Sequence, residues 1–451
     1  MQKMTQGSIP LHLIRYALPM ILGNLLQLTY NAVDSMIIGK CLGENALAAV
    51  STSNPIMTIV VLGVSGLSMG ASVLMSRFYG ANDTGKVKRE FATSLVFSVI
   101  CSLIVFLLGL VFAPALLRCI QTPEVILPEA TVYLRVMFFG FLFTFLYNLL
   151  AAAMRSLGDS KTPLISLSVS CGLNILLDLL FVAVFRMGVF GAAIATVLSQ
   201  MVSVLSQVVL IYRKMPILRL SREDLRMDRS LLRETLSIGS LTALQQSAQP
   251  IGKVLIQSVI NAQGVAAIGA FNAVCRIDDF ACIPAQSIGS AIMTCTAQNR
   301  GGGRADRCRE TFRKGLLIAL AYFPVICSVT LLFGRGMVSI LTPDHADEMI
   351  RMGTSYLSLK AWFFIMPCIT NSIQGFFRGM TRMKIVLFST VLQISIRTLF
   401  VSILVPRIGI TGEAWACFIG WMVMAIWEFA YYFAVREKMY QSVGTMQNNQ
   451  K

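Results

Sequence analysis

The chain has 451 residues, 55% of them hydrophobic and only 13% charged, where a soluble protein carries roughly a quarter charged residues; a cytosolic enzyme is excluded on composition. At about 20 residues per membrane crossing, a chain of this length holds on the order of a dozen spans, with almost nothing left for an extramembrane domain. The 38 basic against 22 acidic residues give a formal charge of +16, which in a soluble chain would suggest nucleic acid and here follows the membrane topology.

Apolar stretches separated by Gly, Pro and charge clusters predict spans near 14–38, 46–75, 92–113, 131–153, 163–185 and 189–211. Six more follow near 235–260, 265–297, 314–333, 351–376, 384–405 and 411–434. The hydrophilic stretch 213–234, with seven Lys and Arg, reads as a basic cytoplasmic linker. The expected domains are therefore an N-terminal six-helix lobe (1–212), the linker, a C-terminal six-helix lobe (235–437) and a polar cytoplasmic tail (438–451). Eleven scattered cysteines show no CxxC pair, and with only His12 and His345 no Cys/His zinc site is expected.

Basic residues set the orientation. The termini and even-numbered loops hold 27 Lys and Arg, the odd-numbered loops only Lys40, Arg118, Arg186, Arg335, Arg351 and Arg407. Both termini are thus expected in the cytoplasm, and nucleic acid is not an expected partner.

The halves repeat at a shift of about 221 residues: Arg186–Ala195 lies over Arg407–Ala416 with five of ten positions identical. Tyr133 falls over Tyr356, Arg155 over Arg378 and Gly80 over Gly301. Six spans per half give both halves the same orientation, so two lobes related by a pseudo-twofold axis along the membrane normal are expected, an arrangement in which transporters place substrate.

A carboxylate inside a span costs roughly 2.5–3.5 kcal/mol on insertion scales, which singles out Asp34 and Asp178. Gln27, Asn31 and Asp34 share one face of the first helix; Asn174 and Asp178 are i, i+4 on the fifth, and Thr196 and Gln200 on the sixth. Asp34, Asp178 and Thr196 lie at similar depth, roughly 9–13 Å below the outer surface at 1.5 Å per residue. They form one oxygen-rich site, or else each is satisfied separately by a neighbouring helix. The positions matching the two acids in the second half fall near Leu255 and Phe400. That half has its own intramembrane charges, Lys253, Arg276, Asp278, Asp279, Lys360, Arg397 and Glu428. Arg276 with Asp279 or Lys253 with Asp278 would be structural ion pairs. Pro19, Pro250, Pro284, Pro324 and Pro367 each remove a helix hydrogen bond, giving a static kink or a place to bend.

Together these residues resemble the multidrug and toxic compound extrusion (MATE) family. The likeness rests on Tyr30-Asn-Ala-Val-Asp34 followed by Ile38-Gly39 and Ala46-Leu-Ala-Ala49, on Tyr79-Gly80-Ala81, on Arg155-Ser-Leu-Gly-Asp159, and on Asn174 to Asp178 followed by Gly188 to Thr196. It covers essentially the whole chain and implies an all-α polytopic protein of twelve transmembrane helices. The implied function is not enzymatic: cofactor-free antiport of amphipathic or cationic drug-like compounds outward, in exchange for inward H⁺ or Na⁺. It implies a monomer, multi-pass in the bacterial plasma (inner) membrane. By position, the coupling role falls on Asp34, Asn174, Asp178 and Thr196, which would also hold Na⁺ if that is the ion. Gln27, Asn31, Tyr133 and Gln200 would be site or substrate neighbours, and Pro19 the bending proline. One branch has further acids in the seventh and tenth helices; Gln245 and Gln246 stand here instead, which resembles the DNA-damage-inducible type of bacterial exporter. The alternative is a lipid-linked precursor flippase of the same superfamily, with Lys253, Arg276 and Arg397 as substrate contacts.

Overall fold

A computed structural model describes residues 3–343 and 346–448; His345 lies outside them. Among the described residues the chain is all helical, with thirteen α-helices. The first half contains α1 (Ile9–Leu42), α2 (Glu44–Gly80), α3 (Thr84–Cys119), α4 (Leu127–Ser156), α5 (Lys161–Asp178) and α6 (Gly188–Lys214). A π-helical turn, Leu179–Val184, continues α5 beyond Asp178. The second half contains α7 (Arg229–Asn261), α8 (Val265–Gly301), α9 (Ala305–Ile340), α10 (Asp347–Phe363), α11 (Ile365–Gly379), α12 (Met383–Ile408) and α13 (Thr411–Asn448).

Nine of these helices are long and apolar enough to cross a membrane. The expected spans that fall short, α7, α8 and the α10–α11 pair, are the polar or short ones. Gln245, Gln246, Gln249 and Lys253 dilute α7, and Arg276, Asp278 and Asp279 dilute α8. The span expected at 351–376 is two helices interrupted at Phe364. Pro367 has no N–H for the carbonyl of Phe363 four residues back, and its ring crowds that carbonyl, which places the break there. By contrast α1, α7, α8 and α9 run unbroken through Pro19, Pro250, Pro284 and Pro324. The segment read as a polar tail from 438 continues α13 as far as Asn448.

The chain divides into two compact units, one built on Pro19–Ala243 and the other on Met4–Leu18 with Leu244 onward. The expected boundaries thus move, because two segments pack where sequence order does not suggest. Residues 4–18 belong to the second unit: the Met4 N–H donates to Gln298 Oε1 (3.0 Å), Tyr16 bonds Thr294 (3.0 Å), and Arg307 donates to the carbonyls of Met4 and Gly7. The stretch after α6 stays with the first unit. Lys88 pairs with Asp224 at 2.6 Å, and Arg77 grips Glu234 with two hydrogen bonds, 2.7 and 3.1 Å. Glu90, fully buried on α3, accepts from Ser94 (2.9 Å) and from Thr235 of α7 (2.6 Å). Only residues 215–228 of the expected linker lie outside α-helix.

Within the first unit α4 packs against α2, α3 and α6, and α6 against α5. Within the second, α8 packs against α9, α10 and α11, and α12 against α13. Small residues let these helices approach closely, as packing between apolar helices requires. A Cβ at Gly375 of α11 would lie 2.2 Å from the Gly289 carbonyl oxygen of α8, and one at Gly289 would lie 2.6 Å from the oxygen of Asn371. Backbone cannot yield as a side chain can. Gly375→Ala is therefore expected to destabilise by about 1–3 kcal/mol through overpacking, seen as a lower melting temperature in detergent. Gly63→Ala, where nothing lies within 4 Å, should not lower it.

Candidate functional site

In the first unit, α1 and α5 bring two acids together. Asp178 is the last residue of α5 and fully buried; Asn174, one turn earlier, is 2% exposed. Asp34 of α1 is partly buried, and its carboxyl lies close enough to that of Asp178 for the two charges to influence each other. Among the described residues neither carboxylate makes an ion pair. Asp34 Oδ1, both carboxylate oxygens of Asp178, and Oδ1 and Nδ2 of Asn174 are buried without a hydrogen-bond partner. Buried polar groups in native proteins are almost always satisfied, so five such atoms on α1 and α5 make this the candidate site. Two adjacent carboxyls cannot both stay ionised in a poorly solvated place unless a proton or a cation lies with them.

The tyrosines complete the surroundings. Tyr133 of α4, 7% exposed, and Tyr30 of α1 are each close enough to feel both carboxylates, and Tyr30 also neighbours Cys171 of α5 and Tyr147 of α4. Tyr133 was expected here. Tyr30, Tyr147 and Cys171 were not, because nothing in their spacing distinguishes them from lipid-facing aromatics and small apolar residues. The π-helical turn that follows Asp178 shifts the helix register at the acid itself, and such turns recur at functional sites.

Two expected members are engaged elsewhere. The Thr196 hydroxyl donates to the Ala192 carbonyl (3.1 Å), and Gln200 Oε1 accepts from Thr144 (2.7 Å). Thr196 keeps oxygen lone pairs for a cation but offers it no preset hydrogen-bond contact. Gln27 and Asn31 are exposed on α1, toward its N-terminus from Asp34.

The second unit pairs Lys253, Lys360 and Arg397 with acids, though not in the pairs expected, and among the described residues Arg276 forms no ion pair. Lys253 joins Asp279 (3.0 Å), both half exposed, while Asp278 binds Lys360. Adjacent residues on a helix point about 100° apart, so α8 turns Asp279 outward and Asp278 inward. Glu413 of α13, absent from the expected charges because it opens a span, is fully buried. Arg397 of α12 donates to Glu413 Oε1 through Nε (3.1 Å) and Nη2, and Tyr356 of α10 donates to Oε2. The Lys360 ammonium lies 4.0 Å from Glu413 and 3.4 Å from the Tyr356 hydroxyl. Nearer the other end of the same unit, Glu428 accepts from Ser389 (2.6 Å) and Gln374 (3.2 Å), and Arg378 donates to Gln245 (2.9 Å). Gln245, where an acid was considered, is thus a structural hydrogen-bonding residue.

Comparison with known proteins agrees with this architecture. The MatE family model matches residues 19–180 and again 242–403, once in each half of the repeat. A Bacillus subtilis (strain 168) protein named probable multidrug resistance protein YpnP is 29% identical over 375 residues, 83% of each chain. The multidrug export protein MepA of Staphylococcus aureus (strain NCTC 8325 / PS 47) is 22% identical over 428 residues, 95% of this chain and 94% of its own. A solved structure of a multidrug resistance MATE family transporter of the MOP superfamily, in the outward-facing conformation, superposes with a TM-score of 0.90 at 23% identity, covering 98% of both chains.

Proposed function

The chain belongs to the MATE family of multi-pass membrane transporters, and from that premise we propose that it exports amphipathic or cationic organic compounds by antiport, with Asp34 and Asp178 as the coupling site for inward H⁺ or Na⁺. The observation that carries this reading is the neighbouring carboxyls of partly buried Asp34 and fully buried Asp178, with unsatisfied oxygens and no basic partner among the described residues. An intramembrane acid left without a counter-ion is costly, and an arriving proton or sodium ion removes that cost.

The residues divide the work. Asp34 and Asp178 hold the ion, Asn174 supplies a neutral oxygen, and Tyr133 stands near enough to feel the charge of both carboxylates. Thr196 contributes an oxygen when the ion is sodium. With the ion bound, the acids no longer repel each other or demand water, and α1 can close on α5. Pro19, which leaves one carbonyl of α1 without its helix hydrogen bond, is where α1 bends. A closed site expels the substrate, so ion and drug exclude each other. The export direction follows from entry of the ion from outside, with both termini cytoplasmic in the plasma (inner) membrane of a bacterium and the protein acting as a monomer.

The flippase alternative needs free cationic side chains as substrate contacts. Of Lys253, Arg276 and Arg397, Lys253 and Arg397 are instead committed to Asp279 and Glu413, which leaves only the exposed Arg276 for that reading.

Vesicles containing the purified protein test the assignment, with H⁺ and Na⁺ gradients imposed one at a time. Accumulation of a fluorescent organic cation such as ethidium is expected under at least one gradient and in neither control without a gradient. Equal uptake with and without gradients would sink the antiport reading.

A further inference from the structure

The repeat sets Tyr356 of the second half over Tyr133 of the first, and the surroundings of the two tyrosines differ in one respect. Around Tyr133 stand two carboxylates and no base. Around Tyr356 stand two carboxylates, Asp278 and Glu413, with Arg397 and Lys360. Arg397 gives two donors to Glu413 Oε1 and Tyr356 gives one to Oε2, so both oxygens of that carboxylate are met. Lys360 is then the ion left for the remaining place. Its ammonium, on a side chain 2% exposed, is bound by Asp278, stands 3.4 Å from the Tyr356 hydroxyl and 4.0 Å from Glu413, and lies 5.2 Å from the Tyr356 ring centre. Anionic carboxylate oxygens and a neutral hydroxyl are the kind of ligands a small monovalent cation takes, and the aromatic face adds to its attraction. Asp278 Oδ1 is buried and without a hydrogen-bond partner, so this carboxylate keeps an unused acceptor beside the ammonium.

We propose that Lys360 is a tethered counterpart of the exchanged cation: its ammonium permanently fills, in the second half, the kind of oxygen-lined place that the first half leaves open to H⁺ or Na⁺. The second half then takes up no ion, and the exchange stoichiometry belongs to the first half alone. That consequence rests on the N-terminal reading above, whereas the occupied place itself does not.

The test is equilibrium binding of radiolabelled Na⁺ to the full purified protein in choline buffer. Asp34→Asn with Asp178→Asn serves as a background in which the N-terminal site is neutralised. On it, Lys360→Met should gain saturable Na⁺ binding that choline does not displace, and Lys360→Arg, which keeps the charge, should gain none. Adding Asp278→Asn and Glu413→Gln to Lys360→Met should abolish the gain. Should Lys360→Met not survive extraction in choline, recovery of monodisperse protein by Na⁺ reports the same occupancy; equal loss in both salts overturns the proposal. A folded Lys360→Met without new Na⁺ binding, or with binding that survives loss of both acids, overturns it too. Na⁺ binding by the background with Lys360 intact counts against the N-terminal reading, so the two failures are distinguishable.

Discussion

Asp34→Asn protein is expected to reach the membrane in near wild-type amount and to lose gradient-driven export. Asparagine keeps the shape of the side chain and removes a charge that lacks a basic partner, so insertion and packing lose nothing. What disappears is the differential affinity of the site for the ion, and with it a coupling worth roughly 5- to 150-fold between ion and substrate. Asp178→Asn should do the same, and the double variant should be no worse than either alone, because residues that act as a unit are not additive. Thr196→Val should cost far less if the exchanged ion is H⁺, because the hydroxyl proton already goes to Ala192, and more if it is Na⁺, because the oxygen ligand is lost. Ethidium efflux from cells, read beside immunoblot abundance, checks all four. Unimpaired efflux by both single variants, at normal abundance, would count against the assignment.

Arg397→Met should give the opposite pattern, loss of the protein before loss of coupling. Removing the guanidinium leaves Glu413 fully buried with Lys360 at 4.0 Å as its nearest remaining cation. Breaking a buried pair from one side costs about 3–5 kcal/mol, whereas replacing both partners by neutral groups is often close to neutral. Arg397→Met with Glu413→Gln should therefore recover much of the abundance and melting temperature lost in Arg397→Met alone. A double variant as unstable as the single would mean that Arg397 acts through something other than this pair.

The fold and the N-terminal pair were legible in the sequence for a physical reason: an acid in an apolar run is too costly to be incidental, and helical spacing tells which of its neighbours share its face. Asp34, Asn174 and Asp178 stood out on those grounds, and Tyr133 by the resemblance. Partner choice was not legible, because it depends on which way a helix turns each residue. Asp278 and Asp279 are adjacent in sequence, yet one binds Lys360 inside and the other Lys253 at the surface. Glu413 carries no such signal, because an acid in the first turn of a span has the same sequence pattern whether it lies at the rim or is buried as here. Tyr30 carried no signal beyond its place in a motif. The break at Phe364 was implicit in Pro367, but five prolines looked alike and four of them sit in unbroken helices. The packing of residues 4–18 with the second unit involves contacts some 280–300 positions away, beyond the reach of local pattern.

The central claim is that ion and substrate compete through Asp34 and Asp178, and equilibrium binding to purified wild-type protein tests it most directly. Ethidium affinity is measured with and without saturating cation, Na⁺ at fixed pH and then H⁺ at fixed Na⁺, and the cation affinity with and without saturating ethidium. Reciprocity requires the two factors to be equal. The account predicts that one of the two ions weakens ethidium binding in wild type, that ethidium weakens binding of that ion by the same factor, and that neither effect remains in Asp34→Asn with Asp178→Asn. An ethidium affinity indifferent to both ions in wild type, or an ion effect that survives in the double variant, would contradict it.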